Sequence, residues 1–204
     1  MHERFSQALV AMDTSKPEAH VWRLFEVFKP LPRPAGVALA LWAAERAVAA
    51  MEEETPSEIR GEQAVEAIRG WLWGRTSLKE IHKHAASMNT AMHRYGRAAT
   101  YQACEAVHFA TNIVFAEMYW TLISSAFVRS ANANVAIRAG GLNSPRAEAV
   151  RLEEHAMQRE VTKGFLTVLV HDESALILLD ECTEGDEQDR AVWMDRITEL
   201  GLVI

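Results

Sequence analysis

The sequence predicts an all-α fold, a multi-helix bundle of about seven helices whose neighbours along the chain pack mostly antiparallel. Hydrophobic residues make up 49% of the 204 residues, enough for a sizeable core, and Ala, Leu, Glu and Arg, which favour helices, are plentiful. Only 10 Gly and 6 Pro interrupt the chain. Start and stop residues divide it into helix-length segments with short connections, and short connections make neighbouring helices antiparallel.

Residues 1–34 are predicted to form an N-terminal helical arm, Glu18 to Phe28, and a Pro-rich connection. Lys29 to Pro34 contains three prolines, and a residue that precedes proline avoids the helical conformation. The next predicted helix, Ala35 to Glu54, is apolar on nearly every side. Such a helix belongs in the middle of a bundle.

Residues 35–140 are predicted to form the central bundle. A hydroxyl side chain followed three residues later by glutamate favours a helix start. Thr55 is therefore predicted to cap a helix from Pro56 to Trp73, and Ser77 to cap one from Leu78 to Tyr95.

The last helical segment of the central bundle runs from Arg97 to about Arg138. It is long for a globular helix, so we expect a break near Ser130 to Asn134, where Ser and Asn side chains compete for backbone hydrogen bonds.

Residues 141–204 are predicted to add the helices Pro145 to Glu184 and Glu187 to Leu200, packed on the bundle within one compact domain. Ser144 before Pro145 is the start signal. Phe165 to Leu179 admits two interpretations. Nearby β-branched residues permit a hairpin, whereas the spacing of the apolar residues favours the helix that we prefer.

Charge and apolar pattern narrow the classes of function. A net charge of −7 argues against simple electrostatic binding of nucleic acid and suits a basic partner. The sequence has no apolar run of bilayer length, no secretion signal and no metal-like spacing of its two cysteines. We therefore expect a reduced, cytoplasmic protein without membrane or direct nucleic-acid contact.

Four polar residues of the Arg97 segment lie within one arc of about 120°: Gln102, Glu105, His108 and Asn112. Glu105 and His108 have the E-x-x-H spacing of di-iron bundles, but a second such pair is missing. A solvated or hydrogen-bonded stripe, a ligand or partner site and a metal site all stay open, as does the burial of the stripe. We prefer no metal and no cofactor.

Other polar and aromatic residues are candidates for a site. Glu45 and Arg46 interrupt the apolar helix, either on a solvated edge or as a buried pair. Trp71 and Trp73 cannot share a helix face, so either both pack in the core from different sides, or one fills the core and the other, Trp73, anchors a partner at the surface. An acidic run is the predicted contact for a basic partner: Asp180, Glu181, Glu184, Asp186, Glu187 and Asp189.

Three stretches that occur in order carry a family resemblance: LALWAAERA, AVEAIRGWLWGRTSLKEIHKHA and AATYQACEAVHFATN. Over about residues 35–125 the chain resembles the immunity proteins of bacterial polymorphic-toxin systems, in the family conventionally numbered fifth. The family pattern falls on Trp42, Glu45, Trp71, Gly74 and His108. The resemblance implies an all-helical cytosolic protein that binds and blocks a toxin effector.

Together these observations predict a non-enzymatic protein that inhibits a toxin or defence effector by direct contact, as an immunity protein or a viral anti-defence inhibitor. One alternative is a metal- or ligand-dependent helical-bundle enzyme that uses Glu105 and His108. Another is a structural oligomer, such as a homodimer, with a surface tryptophan in its interface.

Overall fold

The predicted all-α fold is confirmed by a computed structural model, which describes residues 2–14, 25–29, 31–96, 99–182 and 187–201. These residues contain helical segments and no strand. The helices are α1 His2–Thr14, α2 Phe25–Phe28, α3 Arg33–Glu54, α4 Arg60–Leu72, α5 Leu78–Met92, α6 Ala99–Ile113, α7 Tyr119–Arg138, α8 Ala147–His171, α9 Glu173–Glu181 and α10 Glu187–Glu199.

Helix α3 lies at the centre of the bundle, as its apolar sequence predicts, and 15 of its 22 residues are buried. It packs against α4, α6 and α7. Its small residues allow a close approach, since a Cβ atom on Gly36 would lie 2.7 Å from Cδ1 of Ile123 in α7. Helix α5 packs on α4 and α6, and α8 packs on α1 and α7.

The last two helices close the bundle. Helix α10 packs on α9 and α4, and α9 packs on α8. One connected cluster of buried apolar residues extends from Phe5 in α1 to Ile197 in α10. In the part of the chain that the structure describes, no helix combines the length and apolar character needed to cross a bilayer.

At the amino terminus, α1 was not predicted from the sequence. Of the predicted helix Glu18 to Phe28, only Phe25–Phe28 falls within the described residues, and it is helical. Pro32 has the extended conformation expected for the connection, but α3 begins earlier than predicted, at Arg33, with Pro34 in its first turn. Proline fits there because the first helical N–H groups have no partner within the helix.

The predicted cap at Ser77 is confirmed, because its Oγ accepts a hydrogen bond from the backbone N–H of Glu80 at 3.3 Å. The predicted cap at Thr55 is wrong. Helix α4 begins at Arg60, and Thr55 instead ends α3. Its hydroxyl lies 2.8 Å from that of Thr100, so a contact between helices replaces the local cap.

The described part of the segment predicted as Pro145 to Glu184 forms two helices. Helix α8 starts at Ala147, whose N–H donates to the carbonyl of Ser144 rather than to its hydroxyl. Asp172 then separates α8 from α9 and caps α9, because its Oδ1 accepts from the N–H of Ala175 at 2.7 Å. The preference for helix over hairpin in Phe165 to Leu179 is confirmed.

The break predicted at Ser130 to Asn134 is wrong, because these residues continue α7 without interruption. The Asn134 side chain donates to the Ser130 carbonyl at 3.0 Å, within the helix. The chain leaves the helical conformation instead at residues 114–118. There, buried Arg33 donates from Nη1 to the Val114 carbonyl at 2.8 Å and so satisfies a carbonyl at the end of α6.

Candidate functional site

The charged residues Glu45 and Arg46 each bind a different neighbouring helix. Glu45 forms an ion pair with Arg69 of α4. Nη2 of Arg46 lies 3.0 and 2.8 Å from the two carboxylate oxygens of Glu154 in α8. The predicted alternatives of a solvated edge and a buried pair are thus both partly realised, since Arg46 is partly exposed and Glu154 is fully buried.

Trp42 belongs to the same junction of helices. Its ring centre lies 5.5 Å from the Arg46 guanidinium carbon and 5.8 Å from the ring centre of Phe127 in α7. Half-buried Trp42 therefore covers the cation and packs on the core.

The predicted polar stripe of α6 lies against α5 and α7 and is partly buried. Gln102 accepts from Nη1 of Arg129 at 3.0 Å and from Nδ2 of Asn132 at 3.3 Å. The same Arg129 nitrogen lies 3.2 Å from Oε2 of Glu105, whose side chain is 12% exposed. The stripe thus joins α6 to α7.

His108 continues this stripe toward α5. Its Nδ1 lies 3.1 Å from the Ala85 carbonyl, and Asn112 donates from Nδ2 to the His108 carbonyl at 2.6 Å. Burial lowers the pKa of His108, while the Ala85 carbonyl and the Glu105 charge act in the opposite direction. A neutral ring that donates from Nδ1 fits this position.

The candidate metal ligands already have protein partners, Arg129 for Glu105 and Ala85 for His108. Across the described ranges, no three His, Cys, Asp or Glu side chains come together in a group that could hold a metal ion. Burial, aided by the nearby Glu58 charge, raises the pKa of Cys104 to about 12, so this thiol is not activated for nucleophilic attack.

A cleft of about 300 Å³ lies between α6 and α7 beside the polar stripe. It is lined by Phe109, Ser124, Ser125, Val128 and Arg129. The buried hydroxyl of Ser124 has no hydrogen-bond partner. The volume is near the lower limit for small-molecule sites.

A second polar cluster, centred on buried Glu58, was not predicted from the sequence. Glu58 Oε1 accepts from Nε of Arg60 at 2.6 Å, and Oε2 accepts from the Tyr95 hydroxyl at 2.7 Å. These contacts, the Arg60 bond foremost, outweigh burial and lower the pKa of Glu58 to about 2. No local sequence motif predicts this cluster, because Tyr95 lies 37 residues after Glu58 in the chain.

Two of the predicted partner-binding residues, Trp73 and Glu187, lie close together on the folded chain. A Cβ atom on Gly74 would be 2.4 Å from the Glu187 carbonyl oxygen, so the start of α10 touches the turn that follows Trp73. Trp73 is half-buried, and the Arg75 guanidinium carbon lies 5.4 Å from its ring centre. Glu187 is exposed.

Helix α10 is held in this position by Arg190. Its Nε donates to the Trp71 carbonyl at 3.1 Å, and its guanidinium carbon lies 4.2 Å from the Trp71 ring centre. Trp71 and Arg190 are both buried, so Trp71 is the core member of the tryptophan pair.

Of the remaining acidic candidates, the structure describes the side chain of one. Asp189 is half-buried in α10. The side chains of Asp180 and Glu181, and the whole of Glu184 and Asp186, lie outside the described residues.

Searches of protein-family models, of curated proteins and of solved structures return no match to this chain.

Proposed function

We propose that this protein is a non-enzymatic, cytoplasmic binding protein that inhibits a toxin or defence effector by direct contact. The observation that carries the proposal is the proximity of the Trp73 turn and the start of α10 around Gly74. Two residues that the sequence offered separately, Trp73 and Glu187 of the acidic run, thus lie close together on the folded chain.

The chemistry of this surface suits recognition of a protein. A partly exposed tryptophan with an arginine beside it is typical of the residues that contribute most to binding energy. Most of the acidic run precedes Glu187 in the sequence, and negative charge accelerates association with a basic effector.

The scaffold beneath this surface is fixed by ion pairs between helices. Glu45 with Arg69 joins α3 to α4, and Asp172, the cap of α9, pairs with Arg196 of α10. A preorganised surface loses less conformational entropy on binding, which favours affinity. The resemblance to immunity proteins points to the same task.

The test uses the tagged full-length protein and a Trp73→Ala/Glu187→Lys variant. A matched control, Leu152→Ala/Glu160→Lys, changes an exposed apolar and an exposed acidic residue on α8. We expect a basic effector to co-purify with the wild type and the control and to be lost with the Trp73 variant. Adding the protein to this effector should abolish the effector's activity. An effector that binds all three proteins equally, or that stays active when bound, would contradict the proposal.

A metal- or ligand-dependent enzyme that uses Glu105 and His108 is the second candidate, favoured by the cleft beside Arg129 and Glu105. Elemental analysis of the purified protein separates the two. Stoichiometric iron, manganese or zinc would favour the enzyme and overturn the first proposal. The mass in solution of the wild type and of Trp73→Ala tests the remaining alternative, a homodimer through this tryptophan.

A further inference from the structure

The outward face of α5 and of the turn that follows it concentrates positive charge on a chain whose net charge is −7. We call the exposed cations there the α5 basic face: Lys79, Lys83 and Arg94. At about 100° per residue, Lys79 and Lys83 lie on one side of the helix, opposite the buried Ile81 and Met88.

These three cations differ from the arginines of the interior. Arginines such as Arg46 and Arg60 form ion pairs with carboxylates. Within the described ranges, no carboxylate forms an ion pair with any member of the α5 basic face. Glu80 is the one acidic residue of α5, and it lies to the side of this face. The positive charge is therefore available to a partner.

The side chains around these cations add further groups that can contact an anion. Exposed His82, His93 and Asn89 add hydrogen-bond donors, and exposed Ala86 and Thr90 are small enough for close approach. Helix α5 has 15 residues and is therefore about 22 Å long.

The α5 basic face lacks what the other classes of partner require. A protein interface usually has an aromatic anchor, and a membrane-surface helix has a broad apolar face. The exposed residues of α5 include no aromatic side chain other than histidine, and Leu78 at one end is the only large apolar residue. A row of lysines and arginines with amide, imidazole and hydroxyl groups is the chemistry that contacts nucleic-acid phosphates.

We propose that the α5 basic face binds the phosphodiester backbone of a nucleic acid. This proposal is independent of effector inhibition, which uses the Trp73 turn and α10. The net charge of −7 is a sum over all faces of the protein. Exposed charges more than about 8 Å apart are largely screened from one another at physiological salt, so a local basic face can attract phosphate. The rest of the chain carries a net negative charge that repels phosphate, which favours approach of a nucleic acid from the α5 side.

The test is fluorescence anisotropy of the full-length protein with labelled 20-nucleotide single-stranded RNA, single-stranded DNA and duplex DNA between 50 and 200 mM salt. If all three cations contact phosphates of the duplex, log K should fall with log salt at a slope of about −2.7. Binding of all three probes would assign the shared backbone, and binding of RNA alone would restrict the proposal to ribose-containing strands.

The decisive variant is Lys79→Glu/Lys83→Glu, and its matched control is Lys29→Glu/Arg146→Glu, which makes the same change of net charge elsewhere on the exposed surface. We expect the α5 variant to bind about tenfold more weakly or worse, with a salt slope flatter by about two, and the control to change binding less than about twofold. Circular dichroism checks that both variants fold, and Lys79→Gln/Lys83→Gln repeats the test without charge reversal.

Three outcomes would overturn the proposal. The first is no salt-dependent binding of any probe by the wild type at 50 mM salt. The second is equal weakening by the α5 variant and the control. The third is tighter binding of a 20-residue poly-glutamate peptide than of any nucleic acid, which would assign this face to an acidic protein.

Discussion

Arg46 in α3 and Glu154 in α8 are joined across 108 residues of sequence, with one guanidinium nitrogen within 3.0 Å of both carboxylate oxygens. Glu154 is fully buried, and Nη1 of Arg138 in α7 donates to it at 2.7 Å. A single carboxylate thus links three helices. Its burial is tolerated because two cations share the charge.

Removing both cations leaves this charge without an ionic partner. We expect Arg46→Met/Arg138→Met to lower the free energy of unfolding by about 3–5 kcal/mol, measured by urea denaturation at pH 7. The control Glu148→Gln breaks the exposed pair between Glu148 and Arg151 and should cost less than about 0.5 kcal/mol. A loss below about 1 kcal/mol in the double variant would show that Glu154 needs no cation.

Glu58 should make folding sensitive to acid. Its pKa falls from 4.5 to about 2 on folding, chiefly through Arg60. Because the folded pKa is the lower one, the unfolded chain takes up the proton first. The stabilisation is complete above pH 5 and is lost as the pH falls toward 2, by an amount on the order of 3 kcal/mol.

The variant Glu58→Gln isolates this contribution. Its free energy of unfolding should change less between pH 5 and pH 2 than that of the wild type, because it has no carboxylate to protonate. Glu62→Gln, which changes an exposed residue of α4, should follow the wild type. Parallel pH profiles for Glu58→Gln and the wild type would assign the acid sensitivity to other groups.

Cys104 should be unreactive in the folded protein. It is buried, and its pKa near 12 leaves very little thiolate at pH 8. In a Cys182→Ser background, alkylation by iodoacetamide should be more than about 100-fold slower in buffer than in guanidinium chloride. Fast alkylation of the native protein would contradict this prediction, because it would show that the Cys104 thiolate is accessible.

Gly74 has two reasons to be glycine, and a comparison of two variants separates them. Gly74 and Gly140 both have positive φ, of 65° and 72°. A Cβ on Gly74 would meet the Glu187 carbonyl, whereas a Cβ on Gly140 would have no neighbour within 4 Å. Gly140→Ala should cost about 1 kcal/mol from backbone strain alone, and Gly74→Ala clearly more.

Hydrogen exchange should also be faster in α10 of Gly74→Ala, because the added methyl group displaces its first turn. Equal costs for the two variants, with α10 unchanged, would mean that the contact between Gly74 and Glu187 contributes little.

The features that were predicted correctly from the sequence depend on residues that are close together in the chain. Helix α3 is central because its residues are apolar on nearly all sides, and Ser77 caps α5 through the residue three positions later. The Thr55 prediction was wrong because Thr100, from a distant helix, binds its hydroxyl. A local sequence pattern contains no information about a hydrogen-bond partner that folding brings in from a distant part of the chain.

In the candidate site, too, local features were predicted from the sequence and long-range contacts were not. The periodicity of α6 correctly grouped Glu105 with His108, but their partners Arg129 and Ala85 come from other helices. Trp73 and Glu187 are 114 positions apart in the chain, and no spacing rule relates them. The α5 basic face was hidden for another reason, since a net charge cannot show where individual charges lie.

The bond between Arg33 and the Val114 carbonyl has a consequence for biosynthesis. Arg33 emerges from the ribosome 81 residues before its acceptor, so α3 cannot adopt its final burial while the chain is still short. The central helix α3 therefore stays incompletely buried until α6 has been translated. Chaperone binding to ribosome-bound nascent chains should therefore be strongest before residue 114 emerges and should fall once α6 is released.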